Sequence, residues 1–193
     1  MDYLLNLVAS GLIFGALYGM VAISFAVIYK TTGVVNFAQG EVMMFVTYVA
    51  WWIGTTINGP LWALMAIAIV VGAVLGALLE RVFIRPMLGQ SQFAIIMTTV
   101  GMAIVLRGLV PVIWGVESAP IETPLKSQVI EFGSVLMLGD QLMALACFLT
   151  LSLLVWLFFR FSRVGAAMRA TAHDETAALL MGIDVRRLHS LSW

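Results

Sequence analysis

The sequence predicts an all-α integral membrane protein, a polytopic transmembrane helical bundle of about five spans with a short cytoplasmic helix near its C-terminus. Hydrophobic residues make up 62% of the 193 positions, charged residues make up only 10%, and the mean hydropathy is +1.06. Such a chain has too little polar surface to coat a water-soluble globule of this size. The charged residues also fall between long apolar runs, which gives the positions of the helices.

The spans follow from the stretches that contain no Asp, Glu, Lys or Arg. These stretches are residues 3–29, 42–79, 86–106, 108–116 and 141–159. About 20 apolar residues cross a hydrocarbon core as a helix. The second stretch is too long for one crossing, and Asn58-Gly59-Pro60 is a turn signal near its middle. The predicted spans are therefore 5–29, 42–57, 61–79, 93–114 and 141–159. The apolar runs lack the strict alternation of transmembrane strands.

Three further features narrow the class. The first charge is Asp2 and the first apolar run exceeds a signal-peptide core, so we interpret this run as a permanent span. The single cysteine, Cys147, lies in the fifth span, which excludes an internal disulfide. A formal net charge of +0 removes any general electrostatic argument for nucleic-acid binding.

Basic residues predict the orientation, because Lys and Arg concentrate in the short cytoplasmic loops of membrane proteins. The loop 115–140 carries one lysine and four acidic residues, a net charge of −3, and is expected to face outward. Five crossings from an external N-terminus then place Lys30 and both arginine groups inside. Arg107 is expected to extend its side chain toward the outer face rather than to line a transport path. The two groups are Arg81 and Arg85 after the third span, and Arg160, Arg163, Arg169, Arg186 and Arg187 after the fifth.

Glycines at four-residue spacing predict close helix packing. Because lipid is as apolar as leucine, membrane helices associate through close van der Waals contact, which small residues permit. These glycines indicate a tight bundle and say nothing of a ligand. They are Gly11, Gly15 and Gly19 in the first span, and Gly72 and Gly76 in the third.

Enzyme motifs are lacking in the sequence. His173 and His189 are sixteen positions apart without a metal-binding pattern, so no metal site and no catalytic residue is predicted. The sequence contains neither a G-x-S-x-G elbow nor a G-x-x-x-x-G-K-[ST] phosphate loop. We therefore expect no enzyme activity and no cofactor bound by this chain, and any ATP-driven work would need a partner.

The stretch "GVVNFAQGE", residues 33–41, places polar side chains between two apolar runs. Gly33 and Gly40 bracket it as points where a helix can break. Non-helical backbone at membrane depth is tolerated where it lines a cavity, so this stretch could line a route for a polar solute. The equal alternative is an ordinary loop in cytoplasmic water. The candidate pathway residues are Asn36, Phe37, Gln39, Gly40 and Glu41.

The stretch "RATAHDETAALLMGIDVRRL", residues 169–188, predicts a short cytoplasmic helix over 172–181. Thr171 and Asp174 fit a capping box, and Gly182 is suited to a left-handed helix end. Leu179 and Leu180 could enter a groove on a soluble partner. The alternative is an amphipathic helix lying on lipid headgroups.

These residues carry a resemblance to a known family. "TAALLMG" at 176–182 resembles the EAA-x-x-x-G loop of bacterial ABC importer permeases. Together with "GVVNFAQGEVMM" at 33–44 and "ERVFIRP" at 80–86, it makes the whole chain similar to the permeases of branched-chain amino acid importers. Two departures exist. Thr176 stands where the general pattern has glutamate, and the chain stops at "SLSW", where relatives enter further spans. The single permease domain 1–193 is therefore expected to be incomplete at its C-terminus.

The resemblance implies a subunit of an ATP-driven importer in the bacterial cytoplasmic (inner) membrane, with residues 160–193 as a cytoplasmic loop. It implies ABC ATPase subunits that bind the ATP, a second permease subunit and an external solute-binding protein. Branched-chain amino acids are the expected cargo, with urea or short amides as the alternative. An ATP-independent carrier or channel, or a nonfunctional truncated protein, are the other classes. The residues implied in coupling to the ATPase are Asp174, Glu175, Thr176, Ala177, Ala178 and Gly182.

Overall fold

The computed structural model describes residues 2–57, 60–87, 89–116, 129–132 and 135–192. Most of these residues are helical, which confirms the all-α membrane class. The structure also contains an antiparallel hairpin that was not predicted, with Val129 opposite Leu138. The helices are α1 (Asp2–Thr32), α2 (Gln39–Ile57), α3 (Leu61–Leu79), α4 (Gln92–Trp114), α5 (Gly139–Phe161), α6 (Arg163–His173), α7 (Glu175–Leu180) and α8 (Val185–Ser192), and the strands are β1 (Val129–Phe132) and β2 (Val135–Leu138).

Four helices of the described chain are long and apolar enough to cross a membrane. They contain the predicted spans 5–29, 61–79, 93–114 and 141–159. The predicted span at 42–57 is not among these four helices. That segment lies in α2, which has 19 residues and begins with the polar residues Gln39 and Glu41. The four helices are Tyr3–Thr32, Leu61–Met87, Gln92–Trp114 and Gly139–Phe161.

The helix that begins as α3 changes its geometry before it ends. A π-helical turn, Glu80–Ile84, follows α3, and a 3₁₀ turn, Arg85–Met87, follows the π-turn. Ser91 then caps α4, since its side chain accepts a hydrogen bond from the backbone N–H of Ala94. Pro60 precedes α3 as the predicted turn requires, whereas Asn58 and Gly59 lie outside the described residues.

The chain divides into two compact units. The first unit, Met1–Ser24 with Glu122–Ala166, contains most of α1, the hairpin and α5. Within it, Phe148 approaches Gly19 so closely that a Cβ on this glycine would lie 2.5 Å from the ring. A Cβ on Gly165 would lie 2.5 Å from the carbonyl oxygen of Phe158. The backbone of α6 therefore passes very close to the end of α5.

The second unit, Phe25–Ile121 with Ala167–Trp193, contains α2, α3 and α4. α2 and α3 form an antiparallel pair, because Gly54 faces Leu64 and Gly72 faces Val46. A cluster of buried apolar side chains joins the segment before α2, the end of α3, the π-turn and α4. Its members are Val34, Ala38, Leu79, Ile84, Ile95, Met102 and Leu106.

The predicted packing glycines have different surroundings. Gly19 and Gly72 lie beside side chains of neighbouring helices, and Gly76 is buried. A Cβ placed on Gly11 or Gly15 would meet no atom of the described chain within 4 Å. Gly54, which was not predicted, permits the close approach of α2 and α3.

Candidate functional site

Residues 33–38 are not helical and connect the end of α1 to the start of α2. This segment is called the broken connection below. α1 ends at Thr32, and Gly33 has a φ of +68°, in the left-handed region that glycine adopts without a Cβ penalty. Its N–H donates to the carbonyl oxygen of Tyr29, at 2.8 Å. The predicted break at Gly33 is therefore present, whereas Gly40 lies inside the first turn of α2.

Asn36 folds the broken connection. Its Oδ1 accepts a hydrogen bond from the N–H of Ala38 at 2.9 Å, and its Nδ2 donates to Oε1 of Gln39 at 3.3 Å. The backbone N–H of Gln39 donates to the Asn36 carbonyl oxygen. Asparagine is suited to such turns because its side chain bonds the backbone two residues on. Asn36 is only 3% exposed, so its polar atoms are mostly engaged in the turn that starts α2.

Thr99 fixes the broken connection beside the middle of α4. Its Oγ1 accepts a hydrogen bond from the N–H of Phe37 at 3.3 Å and donates to the carbonyl oxygen of Ile96 at 2.8 Å. Thr99 is fully buried, and it lies seven residues into α4, roughly 10 Å from the start of this helix. The interpretation as an ordinary wet loop does not describe this geometry, because Asn36 and Ala38 are buried beside a candidate span. The role as a solute path stays a prediction.

Two further contacts show that α2 and α4 run in the same direction. Arg107 donates a hydrogen bond to Oε1 of Glu41 and forms an ion pair with it. Further along both helices, the rings of Phe45 and Tyr48 pack against Trp114, the last residue of α4. Their ring centroids lie 5.5 and 5.7 Å from that of Trp114. The Glu41 side chain is 13% exposed and that of Arg107 is 76% exposed. Arg107 therefore has a carboxylate partner, which the sequence did not predict.

Glu80 is a candidate that was not among the predicted pathway residues. It opens the π-turn, is 3% exposed, and its Oε1 is buried without a hydrogen-bond partner in the described part of the chain. A π-turn inside a helix is rare and frequently marks a functional site. Its position as the first charge after a 38-residue uncharged stretch was the available signal.

The predicted cytoplasmic helix 172–181 is wrong in its bounds. Residues 172 and 173 belong to α6, and α7 covers only Glu175–Leu180. The predicted capping box is also wrong, because Thr171 lies within α6 and donates to the carbonyl oxygen of Ala167. Asp174 alone caps α7, accepting a hydrogen bond from the N–H of Ala177 at 2.9 Å.

The end of α7 agrees with the predicted left-handed stop. Gly182 has a φ of +81°, and its N–H donates to the carbonyl oxygen of Leu179. The N–H of Ile183 donates to the carbonyl oxygen of Ala178, which completes a Schellman motif. The short helix is therefore fixed at both ends by local hydrogen bonds.

The coupling residues implied by the resemblance do not share one environment. Ala178 is buried, Thr176 and Ala177 are exposed, and the side chain of Glu175 lies outside the described set. The most exposed apolar residues here are Leu180, at 84%, and Met181, at 85%. Met181, which was inside the predicted helix but not named as a contact, follows the end of α7 in the structure. We call Leu179, Leu180 and Met181 the apolar tip.

The end of α6, which leads directly into α7, lies at one end of the second unit. Residues 171–173 line a cleft of about 710 Å³ together with residues 29–33 at the end of α1 and Gln92 at the start of α4. These three helix ends therefore share one side of the unit. Among the described residues, no group of three His, Cys, Asp or Glu could hold a metal ion.

Together these features define a multi-pass membrane protein with a broken helix inside the bundle and a short capped helix with an apolar tip. Residues 7–193 match the family model described as branched-chain amino acid transport system / permease component, and the chain belongs to this family. Family membership and the four apolar helices make it a multi-pass inner-membrane protein. No solved structure matches the chain.

The similar proteins are transport permeases rather than enzymes. The chain is 28% identical over 204 residues to the high-affinity branched-chain amino acid transport system permease protein LivH of Salmonella typhimurium, and 32% identical over 204 residues to the corresponding BraD of Pseudomonas aeruginosa. Each match covers 99% of this chain and 66% of the relative. The probable LivH of Methanocaldococcus jannaschii is 24% identical over 187 residues, which cover 94% of this chain and 59% of that relative.

Proposed function

We propose that the chain is a permease subunit of an ATP-driven importer, and that α7 and the apolar tip bind a separate ATPase. The apolar tip carries this proposal. Leu180 and Met181 are almost fully exposed, although the cap at Asp174 and the Schellman motif fix the backbone on both sides of them. An exposed apolar surface on a rigid support is typical of a protein–protein contact.

Binding of the apolar tip in a groove of the ATPase would transmit movement to the membrane helices. α6 leads directly into α7, and the close contact of Gly165 with Phe158 makes the corner between α5 and α6 stiff. Closure of the ATPase subunits on ATP, which they and not this chain would bind, would pull on this corner. A ligand changes an equilibrium between two conformations only through different contacts in the two states. Binding of the apolar tip in the groove of the ATPase would supply this difference in contacts.

The broken connection is proposed to form part of the translocation path. Its non-helical backbone lies at the depth of Thr99, inside a candidate span, where irregular backbone normally lines a cavity. A second permease subunit would supply the other wall, and an external solute-binding protein would deliver the solute. We propose that residues 160–193 face the cytoplasm and the N-terminus faces outward.

Branched-chain amino acids are the proposed cargo, since LivH and BraD carry that description. Urea or a short amide is the alternative, because an external binding protein can select the solute. An ATP-independent carrier or channel is a less favoured class, because the family is described as the permease component of a transport system. Continued uptake with ATP hydrolysis blocked would establish that class instead.

Copurification tests the docking proposal. Leu180→Asp combined with Met181→Asp should remove the ATPase from the purified complex, because two carboxylates replace the apolar contact. The matched control is Leu191→Asp in α8, another exposed leucine of the same tail, which should retain the ATPase. Full retention by the double variant would overturn the proposal.

A further inference from the structure

Oε1 of Glu80 is buried and accepts no hydrogen bond from the described part of the chain. We propose that Glu80 binds the ammonium group of the transported solute at the level of the broken connection. This inference rests on the proposed function and names the chemistry of its path.

Three segments that meet in one apolar cluster each carry one buried polar residue. The broken connection contributes Asn36, the π-turn contributes Glu80 and the middle of α4 contributes Thr99, all at most 3% exposed. Apolar residues within four positions of each of these three pack together in one cluster. They are Val34 and Ala38 around Asn36, Leu79 and Ile84 near Glu80, and Ile95 and Met102 on either side of Thr99.

Among these three side chains, one buried acceptor has no hydrogen bond within the described residues. Asn36 uses both ends of its amide, and Thr99 both donates and accepts. Oε1 of Glu80 has no donor within the described chain. The arginines seen in ion pairs, Arg107 and Arg187, have Glu41 and Asp184 as their partners. A buried carboxyl oxygen without a hydrogen bond is unfavourable, so this oxygen needs a donor beyond the described residues, and the transported solute is the donor proposed here.

An ammonium group is the donor that fits. It pairs with a carboxylate through a charge-assisted hydrogen bond, whereas an anionic group would be repelled. The aliphatic side chains around the site suit a solute with an apolar portion. The site is covered in this structure, so entry requires movement of the broken connection. The two irregular elements, the π-turn and the connection that turns at Gly33, are where the backbone can change.

Protection from chemical labelling tests the inference on the unmodified protein. The complete transporter in membrane vesicles is treated with a membrane-permeant carbodiimide, and the modified carboxyl groups are identified by mass spectrometry. L-leucine should reduce modification of Glu80 several-fold, while 4-methylpentanoate, which has the same aliphatic group and no ammonium, should not. Asp140 at the start of α5 serves as the internal reference. Equal protection by both solutes, or protection by neither, overturns the inference.

A variant provides the second measurement. Glu80→Gln keeps the shape and removes the charge, so leucine uptake should fall at least about tenfold, the size expected for loss of a hydrogen bond to a charged group. ATPase copurification should be unchanged. Asp140→Asn is the matched control, since Asp140 bonds only its neighbour Gln141 among the contacts described and should keep full uptake. Normal uptake by Glu80→Gln overturns the inference alone, whereas wild-type vesicles without ATP-dependent uptake contradict the proposed function.

Discussion

At the residue scale, Thr99 is the contact between a non-helical segment and the middle of a membrane helix. Phe37 lies where the chain has left α1 and has not yet started α2, so its N–H has no helical partner. The Thr99 hydroxyl accepts it and remains bonded to its own helix through Ile96. One side chain thus satisfies a backbone group that lipid could not.

Thr99→Val is predicted to destabilise the folded protein. Valine has nearly the same shape but cannot accept a hydrogen bond, so the Phe37 N–H would be left without a partner at a cost of about 1–3 kcal/mol. Unfolding in detergent micelles with a chemical denaturant measures the change. Thr98→Val is the control, because the Thr98 hydroxyl bonds only Ala94 of its own helix in the described contacts. Equal effects of the two substitutions would contradict this account of the broken connection.

At the element scale, the corner between α5 and α6 depends on Gly165. A Cβ at this position would lie 2.5 Å from the Phe158 oxygen and 2.8 Å from the Phe159 Cα, and these backbone atoms cannot rotate away. Gly165→Ala is therefore predicted to shift the corner and to destabilise the protein by about 1–3 kcal/mol, as overpacking does. The same micelle unfolding assay measures it. Gly11→Ala, in α1 of the same unit with open space around it, should be neutral or slightly stabilising. A neutral Gly165→Ala would contradict the stiff corner.

The elements differ in how far sequence could predict them. The apolar helices α1, α3, α4 and α5 follow from hydropathy alone, because the bilayer fixes the length of an apolar helix. The start of α2 does not, since its position depends on the contact between Phe37 and Thr99, which are far apart in the sequence. Asp174 and Thr171 both fit a helix cap by residue type, and only the path of α6 decides between them.

The candidate site was predictable to a similar extent. The break at Gly33 and the left-handed stop at Gly182 are local and follow from glycine conformation. The hairpin of β1 and β2 also had a local signal, the Gly133-Ser134 pair in the sequence between two apolar runs, which was not used. Burial of Glu80 could not be predicted, since it arises from packing of the π-turn on other segments.

At the scale of the whole molecule, the contacts of α2 explain how a chain with four strongly apolar helices in its described part could cross the membrane five times. Phe37 lies at Thr99, Glu41 at Arg107 and Tyr48 at Trp114, so α2 follows α4 from its middle to its end. α3 then returns in the opposite direction. The broken connection and α2 together would make the remaining passage, with a polar start that composition does not recognise as a span.

Cysteine labelling tests this passage in a Cys147→Ser background, with a membrane-impermeant maleimide added to right-side-out vesicles. Thr56→Cys near the end of α2 and Val116→Cys after α4 should react, because both helices end on one side. Gln90→Cys and His173→Cys should react only in inverted vesicles, since both lie near the helix ends around the cleft on the other side. Reaction of Thr56→Cys together with Gln90→Cys would show that α2 does not complete a passage. If each pair of cysteines reacted from the opposite side instead, the number of membrane crossings would stand. The proposed orientation would then be wrong, because the arginine-rich tail would face outward.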